Sequence, residues 1–415
     1  MELSEQCDRL SLVDAPEEEK KHPFWKTVSM YNKLHGVLEI SELSKAIIET
    51  PAFQRLKKIK QLGGLVYKFK FADHTRYEHS IDVCQLTRIA AVSLKEKHPE
   101  ISEDTMLCLE IAGLLHDFQH GPLSHAYDFL LRDMKLTHQG VCHERRSQIG
   151  AEYLIKSLKQ KKVPDAKMIT QKMIRLIQFF ISPEHYLRYI DPSRKELPDF
   201  YDGCEMCVNN TLNSFDLDKC GYILLDSFYL RFDQSLHQPI DIISIIKRSQ
   251  IINRIWCLHA QDEVAIHNLI VRRHLLYINF YYHPEVSAIS HMLENIMRKA
   301  DSIYKFTECS KLETKEDFTQ FFKLTDQYFI ETILNTKEPS LFPSRDLLKK
   351  ILNGCSGSSF SEVLLAGKSQ SGCEIQYKVI DDKSSPLKML PKILYHDGTK
   401  ILEPGEYKLV RRFVD

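Results

Sequence analysis

The stretch Ala112-Gly113-Leu114-Leu115-His116-Asp117-Phe118-Gln119-His120-Gly121-Pro122-Leu123-Ser124-His125 decides how this chain is read. It closes an apolar run, Cys108–Leu115, that suits a buried helix and is far shorter than the roughly 20 residues of a membrane span. A histidine and an aspartate side by side at the end of such a run each need a partner, because unpaired polar groups are costly away from water. One metal ion satisfies both. Imidazole nitrogen with carboxylate oxygen suits manganese, iron, zinc or nickel better than calcium. His120 follows His116 by four residues, so a continuing helix would carry both on one face. A His-Asp pair is weak evidence alone, and its company matters more. Eight of the 18 histidines lie between His74 and His143, a density that points to a site rather than to packing.

Outward from this centre the text is mostly helical. Leu43, Ile47 and Ile48 mark one apolar face after Ser41, and Phe53, Leu56, Ile59 and Leu62 mark another after Thr50-Pro51. Val66–Phe71 alternates and reads as a short strand or extended loop. Helical patterns fit 79–97, 104–116, 124–136, 144–160, 165–181, 216–229, 240–282 with breaks, 285–304 and 315–335, whereas 182–212, with Pro183, Pro192 and Pro198, reads as irregular. Ten of the 19 residues in 354–372 are Gly or Ser, a linker composition, and strand-like runs follow at 373–380, 393–395 and 407–413. The expected organisation is a mobile acidic tail (1–24), a helical core (25–335), a connecting region (336–372) and a small β-containing C-terminal region (373–415). The fold class is mainly α, with a small C-terminal α+β appendage.

Composition narrows the function classes. Lys+Arg and Asp+Glu are both 56, so net charge lends no support to nucleic acid as a partner. Eleven cysteines without pairing rhythm, and no apolar leader in 1–22, suit a reducing compartment, cytoplasmic or nuclear. Cys204-Glu205-Met206-Cys207 has no second pair at zinc-site spacing and reads as loop thiols.

Two further segments flank the central stretch: His74-Thr75-Arg76-Tyr77-Glu78-His79-Ser80 upstream and Phe215-Asp216-Leu217-Asp218-Lys219-Cys220-Gly221-Tyr222 downstream, then Asp226. Asp218, Tyr222 and Asp226 are spaced to share one helix face. One His, an adjacent His-Asp pair and a distant Asp, in that order, resemble the HD phosphohydrolase superfamily. The resemblance sharpens at Pro51–Gly64, with its Phe53-Gln54-Arg55-Leu56 and Ile59-Lys60-Gln61-Leu62-Gly63-Gly64, at His74–Ser80, at Ala112–His125, at His143-Glu144 and at Asp216–Tyr222. These five ordered motifs are similar to those of the vertebrate deoxynucleoside triphosphate triphosphohydrolases that carry a sterile-alpha-motif and an HD domain. The match runs over roughly residues 35 to 335 and does not include a sterile-alpha-motif domain.

That resemblance implies an enzyme that converts a dNTP and water to deoxynucleoside and triphosphate. It implies metal ligands His79, His116, Asp117 and Asp218 for iron, manganese or zinc, with magnesium accompanying the substrate phosphates. It assigns proton handling to His120, His125 and His143 with Asp128 as orienting carboxylate, and phosphate charge to Arg76, Lys219 and Arg273. Gln61, Leu62, Tyr222, Asp226, Tyr277 and Tyr281 would surround the substrate and exclude a 2′-hydroxyl. Glu49, Gln54 and Lys57 stand where the family reads an activating GTP or dNTP, and a homodimer or a nucleotide-driven tetramer would follow. Lys57 replaces an arginine of the family pattern and loses its two-pronged fork, and Tyr277 and Tyr282 replace a His and a Gln. Two rivals are another phosphohydrolase or phosphodiesterase with the same metal, and a regulator that binds nucleotide or nucleic acid without turnover.

Overall fold

The computed structural model describes residues 26–200, 202–210, 215–232, 240–354, 394–397 and 400, over which the chain is mainly α-helical. A hairpin of β1 (Thr27–Asn32) and β2 (Gly36–Ser41) leads into α1 (Glu42–Ile48) and the short α2 (Pro51–Gln54). Then follow α3 (Arg76–Lys97), α4 (Glu103–Leu115), α5 (His125–Asp133), α6 (His143–Gln160), α7 (Gln171–Ile181), α8 (Pro183–Tyr189), α9 (Leu217–Tyr229) and α10 (Ile242–Arg248). A second hairpin, β3 (Gln250–Ile252) and β4 (Ile255–His259), precedes α11 (Glu263–Leu276), α12 (Pro284–Tyr304), α13 (Lys315–Lys323), α14 (Asp326–Leu334) and α15 (Phe342–Leu352). Strand β5 (Tyr395–His396) pairs in parallel with β4. Among the described residues no helix is long and apolar enough to cross a membrane.

Helix α4 is the axis. Ser102 caps it, its hydroxyl accepting from the Thr105 N–H at 3.1 Å, and every residue from Leu107 to Leu115 is buried. A helix apolar all round belongs in the centre of a protein, and α4 packs between α3 and α7. Its one buried charge, Glu110, accepts from the Ser41 N–H at 2.7 Å and from Arg88 at 2.6 Å. Two cores flank this axis. One gathers α3, α4, α7 and α9; the other gathers α5 and α12 through α15. Phe118 belongs to the first and Leu123 to the second, so the loop after the His-Asp pair runs along their seam.

Gly113 sets the crossing of α3 and α4. A Cβ there would stand 2.4 Å from Thr87 Oγ1, so the helices could not approach as they do. Gly113→Ala is expected to cost about 1–3 kcal/mol, the usual range for overpacking, read as a lowered denaturation midpoint.

Several elements differ from the sequence reading. Val66–Phe71 forms no strand; Gly63–Tyr67 makes a 3-10 turn packed on α12, because a short alternating run without a neighbouring strand gains nothing from extension. Segment 182–212 is not wholly irregular, since Pro183 opens α8 at a position where its missing N–H costs nothing. The helical stretch 240–282 is broken by β3 and β4 around Asn253-Arg254, both with positive φ (52° and 64°), the backbone that a two-residue hairpin turn demands. Hairpin β1–β2 was not anticipated. The helical body continues past 335: α15 occupies part of the segment read as a connecting region, and its Leu348 and Ile351 are buried. The expected tail at 1–24, residues 355–372 of the linker and most of 373–415 lie outside the described residues.

Candidate active site

The helix ends where the His-Asp pair begins. His116 caps α4, and Asp117–Gln119 turn away. Gly121-Pro122 and the positive φ of Leu123 (59°) and Ser124 (56°) keep a helix from resuming before α5. His116 and His120 therefore do not share a helix face, contrary to the spacing argument. They still reach one centre, because the turn brings His120 Nε2 to 3.2 Å from Asp117 Oδ1.

His116 Nδ1 lies 2.7 Å from the Gly113 carbonyl. A carbonyl only accepts, so Nδ1 carries the proton and Nε2 presents its lone pair, the tautomer of a histidine ligand. That Nε2 is 3.1 Å from His79 Nε2 and 3.4 Å from Asp218 Oδ1. His79 Nε2 is 3.0 Å from the same oxygen. His79 is fully buried in the first turns of α3, and Asp218 sits in the first turn of α9, which Asp216 caps by accepting from the Lys219 N–H at 2.9 Å. Asp117 stands slightly back. Its Oδ2 is 3.5 Å from both Nε2 atoms and accepts from Arg76 at 2.5 Å. The structure thus brings the four expected ligands together from three distant stretches, and the ligand atoms of His79, His116 and Asp218 lie close enough to hold one metal ion. Two nitrogens and carboxylate oxygens suit a divalent transition metal. The local field suits a cation as well: burial opposes charge on His116, yet Asp117 and Asp218 outweigh it and hold its pKa at about 9.

Beside this group stands a second cluster of His120, His125, Asp128 and His143. The His120 and His143 rings stack at 3.9 Å, and His125 meets both edge-on at about 5 Å. His143 Nδ1 donates to Asp128 Oδ2 at 2.5 Å, and Arg146, fully buried, donates to Asp128 Oδ1 at 2.5 Å. Burial opposes charge on His143, but Glu144 and Asp128 outweigh it and raise its pKa. Burial, Arg76 and His143 push His120 well down. The pKa values of the neighbouring imidazoles are therefore pushed in opposite directions. His125 is the exposed member, its side chain 58% accessible.

Further along α9 a polar cluster forms. Asp226 is buried with one oxygen 2.8 Å from His74 Nε2 and the other accepting from the Tyr281 hydroxyl. Arg273 donates to the Tyr222 hydroxyl at 2.6 Å and to the Tyr277 hydroxyl at 3.3 Å. Tyr277–Tyr281 adopt a π-helical turn, a distortion frequent at functional sites. Gln61 is buried with its carboxamide oxygen unpaired among the described residues, and Leu62 packs on the main core. Lys219, expected to face phosphate, forms a close ion pair with Asp216. Of the expected nucleotide-reading residues, Glu49 and Lys57 are at the surface, with Lys57 over the Tyr77 ring at 4.5 Å, while the Gln54 amide donates to the Ile48 carbonyl at 2.6 Å.

Four contributors were not singled out from sequence. His74 orients Asp226; Ser124 Oγ accepts from Arg76 at 3.0 Å; Arg146 anchors Asp128; and Gln119 is buried with both amide atoms unpaired. His74, Gln119 and Ser124 lie within quoted motifs, but the partners of His74 and Ser124 are 152 and 48 residues away.

Residues 76–197 match the model of the HD domain. The chain is 33% identical over 339 residues to the deoxynucleoside triphosphate triphosphohydrolase SAMHD1 of Gallus gallus, covering 77% of this chain and 53% of that protein. Against the Homo sapiens protein of the same name the identity is 32% over 333 residues, covering 77% and 52%. A putative HD domain-containing protein, L394, of Acanthamoeba polyphaga mimivirus is 30% identical over 326 residues, covering 74% of this chain and 65% of its own length. The chain spans about half the length of the SAMHD1 proteins it matches. The converging His and Asp side chains and these similarities lead to one conclusion: the chain carries an HD domain over residues 76–197 and, over 77% of its length, is similar to the SAMHD1 deoxynucleoside triphosphate triphosphohydrolases.

Proposed function

We propose that the chain is a metal-dependent triphosphohydrolase that converts a dNTP and water to deoxynucleoside and triphosphate. The observation that carries this reading is the succession of Asp218, Tyr222 and Asp226 on one face of α9. It sets the His/Asp centre and the polar cluster about 12 Å apart along the helix at 1.5 Å per residue, the scale of a nucleotide laid from phosphate to sugar.

His79, His116, Asp117 and Asp218 would hold iron, manganese or zinc, with magnesium brought by the phosphates, and such a metal supplies Lewis acidity toward a phosphate oxygen. Arg76 is fixed beforehand by Asp117, Ser124 and the Gln61 carbonyl, so its charge meets phosphate without reorganisation. Lys219 and Arg273 add positive charge, the former by exchanging Asp216 for phosphate. His143 holds a proton on Nδ1 toward Asp128, and its raised pKa favours a second one on Nε2. Neutral His120 accepts one. Titratable neighbours pushed apart in this way divide the acid and base roles. His125, at the exposed rim, is placed to give the leaving 5′-oxygen its proton. Tyr222, Tyr281 and Asp226 exclude a 2′-hydroxyl by shape.

Incubating the purified chain with each dNTP and Mn²⁺ or Mg²⁺, with and without GTP, is expected to release triphosphate, and ribonucleotides are expected to be poor substrates. Bound metal with no triphosphate from any dNTP would sink the proposal. Cleavage of ribonucleotides or of phosphodiesters instead would favour the rival hydrolase, whose motive is Tyr277 and Tyr282. His125→Ala is expected to keep its metal and lose turnover by ~10²–10⁴-fold, the usual worth of a proton-transfer group; metal analysis alongside steady-state rates checks both halves. A homodimer, and a tetramer driven by GTP or dNTP at Glu49, Gln54 and Lys57, belong to the same proposal; light scattering with and without GTP reports on it. Free thiols throughout the described cysteines accord with a cytoplasmic or nuclear setting.

A further inference from the structure

Cys142 and Glu144 flank His143, yet both turn toward α8. Cys142 Sγ is 3.1 Å from His185 Nε2. Glu144 Oε2 is buried and accepts no hydrogen bond among the described residues, although His143 Nδ1 stands 3.5 Å away as an ion-pair neighbour. The sulfur, the carboxylate and the imidazole each place one ligand atom within 4.8 Å of the other two. Around a tetrahedral zinc, bond lengths near 2.0–2.3 Å put ligand atoms roughly 3.5 Å apart, so small side-chain adjustments suffice.

The surroundings are those of a built site. His185 Nδ1 is 2.8 Å from Ser182 Oγ, an acceptor that can take the Nδ1 proton and leave Nε2 free, as the outer partner of a metal-bound histidine does. The two helices are tied rigidly. Gln148 on α6 donates to the Gln178 and Ser182 carbonyls at 2.8 and 2.9 Å, and Gln178 returns a bond to the Gln148 carbonyl at 3.0 Å. The His185 ring stacks on Tyr189, and Cys142, Glu144 and His185 are each only partly buried.

A reactive Cys-His pair is the competing explanation. Burial and Glu144 push the Cys142 thiol up to about 12, whereas a nucleophilic cysteine needs its pKa lowered. Coordination removes that obstacle, because a bound cation supplies the charge that stabilises thiolate.

The geometry points to a second metal site, separate from the His/Asp centre, in which Cys142 Sγ, Glu144 and His185 Nε2 bind a thiophilic divalent cation, zinc above all, and leave a fourth position open. Neither the metal nor the residues overlap with the centre at His79, His116, Asp117 and Asp218, which contains no sulfur.

Cobalt(II) distinguishes the two, since only a thiolate site gives an intense sulfur-to-cobalt charge-transfer band. Titrating the metal-free full chain with Co²⁺ is expected to produce that band at one equivalent of thiolate-bound cobalt and to lose it on adding Zn²⁺. Cys142→Ser and His185→Ala are expected to abolish it. His116→Ala, which disrupts the His/Asp centre, is expected to leave it intact. No charge-transfer band in the wild-type chain, or a band that survives Cys142→Ser, would overturn the proposal. Circular dichroism of each variant separates loss of the site from loss of the fold, and Glu144→Gln, which keeps the side-chain volume, should weaken Co²⁺ binding without altering the spectrum of the folded chain. The result for the His/Asp centre is read independently, from triphosphate release.

Discussion

Asp218→Ala will strip the His/Asp centre of its metal and abolish dNTP turnover in one step. Asp218 Oδ1 is the point on which both histidine Nε2 atoms converge, at 3.0 and 3.4 Å. It is also the only described carboxylate oxygen within 3.4 Å of both. Removing it leaves two imidazoles and an Asp117 that Arg76 already holds. Changes outside the ligand shell typically cost 10–100-fold in metal affinity or activity, so loss of a ligand should exceed that range and take turnover to background. His116→Ala should match it. Thermal unfolding gives a readout free of catalysis. A ligand that binds only the native state raises stability by RT ln(1 + [L]/Kd), so Mn²⁺ should raise the wild-type Tm with concentration and leave both variants unmoved. Full metal occupancy in either variant would mean that other residues hold the ion.

How much of this centre could be read in advance follows from how local each contribution is. His116 and Asp117 are adjacent, His79 lies within a seven-residue motif and Asp218 in a capped helix start, so their chemistry shows in short runs of text. The loop that presents them does not. Spacing places His116 and His120 on one helix face, but the helix stops at Leu115 and a turn instead brings His120 beside Asp117. The His74–Asp226 bond spans 152 residues, and no local pattern encodes such a pairing. The hairpin β3–β4 was hidden for a different reason: Ile251, Trp256 and Leu258 are buried apolar residues that fit a buried helix as well as a strand, and only the turn at Asn253-Arg254 breaks the tie. Helix α15 was lost to the Gly/Ser-rich text that follows it.

Asp128→Ala should be the most destabilising single change near the site and should also slow turnover. Asp128 is 1% exposed and Arg146 is fully buried. The guanidinium donates to Asp128, to the Gln119 carbonyl at 3.0 Å and to the Gly140 carbonyl at 2.7 Å, and lies over the Tyr127 and Phe321 rings. Without the carboxylate those carbonyls and rings face a buried cation with no counter-charge, a situation that costs about 3–5 kcal/mol. The double variant Asp128→Ala/Arg146→Met should recover part of that loss, since removing both charges leaves neither stranded; a double-mutant cycle in urea measures the coupling. Burial works against the Asp128 carboxylate, but Arg146 and His143 hold it well below its usual pKa. A depressed carboxylate contributes stability above its unfolded pKa and loses it as pH falls. The gap between wild type and Asp128→Asn should therefore be full at neutral pH and shrink in acid, below the ordinary aspartate value of about 3.9. Catalysis moves at the other end of the scale. His143 keeps its proton partly through Asp128, so the alkaline fall in kcat should begin at lower pH in Asp128→Asn than in wild type. An unchanged alkaline limb together with a large stability loss would confine Asp128 to a structural role and pass the control of His143 to Glu144.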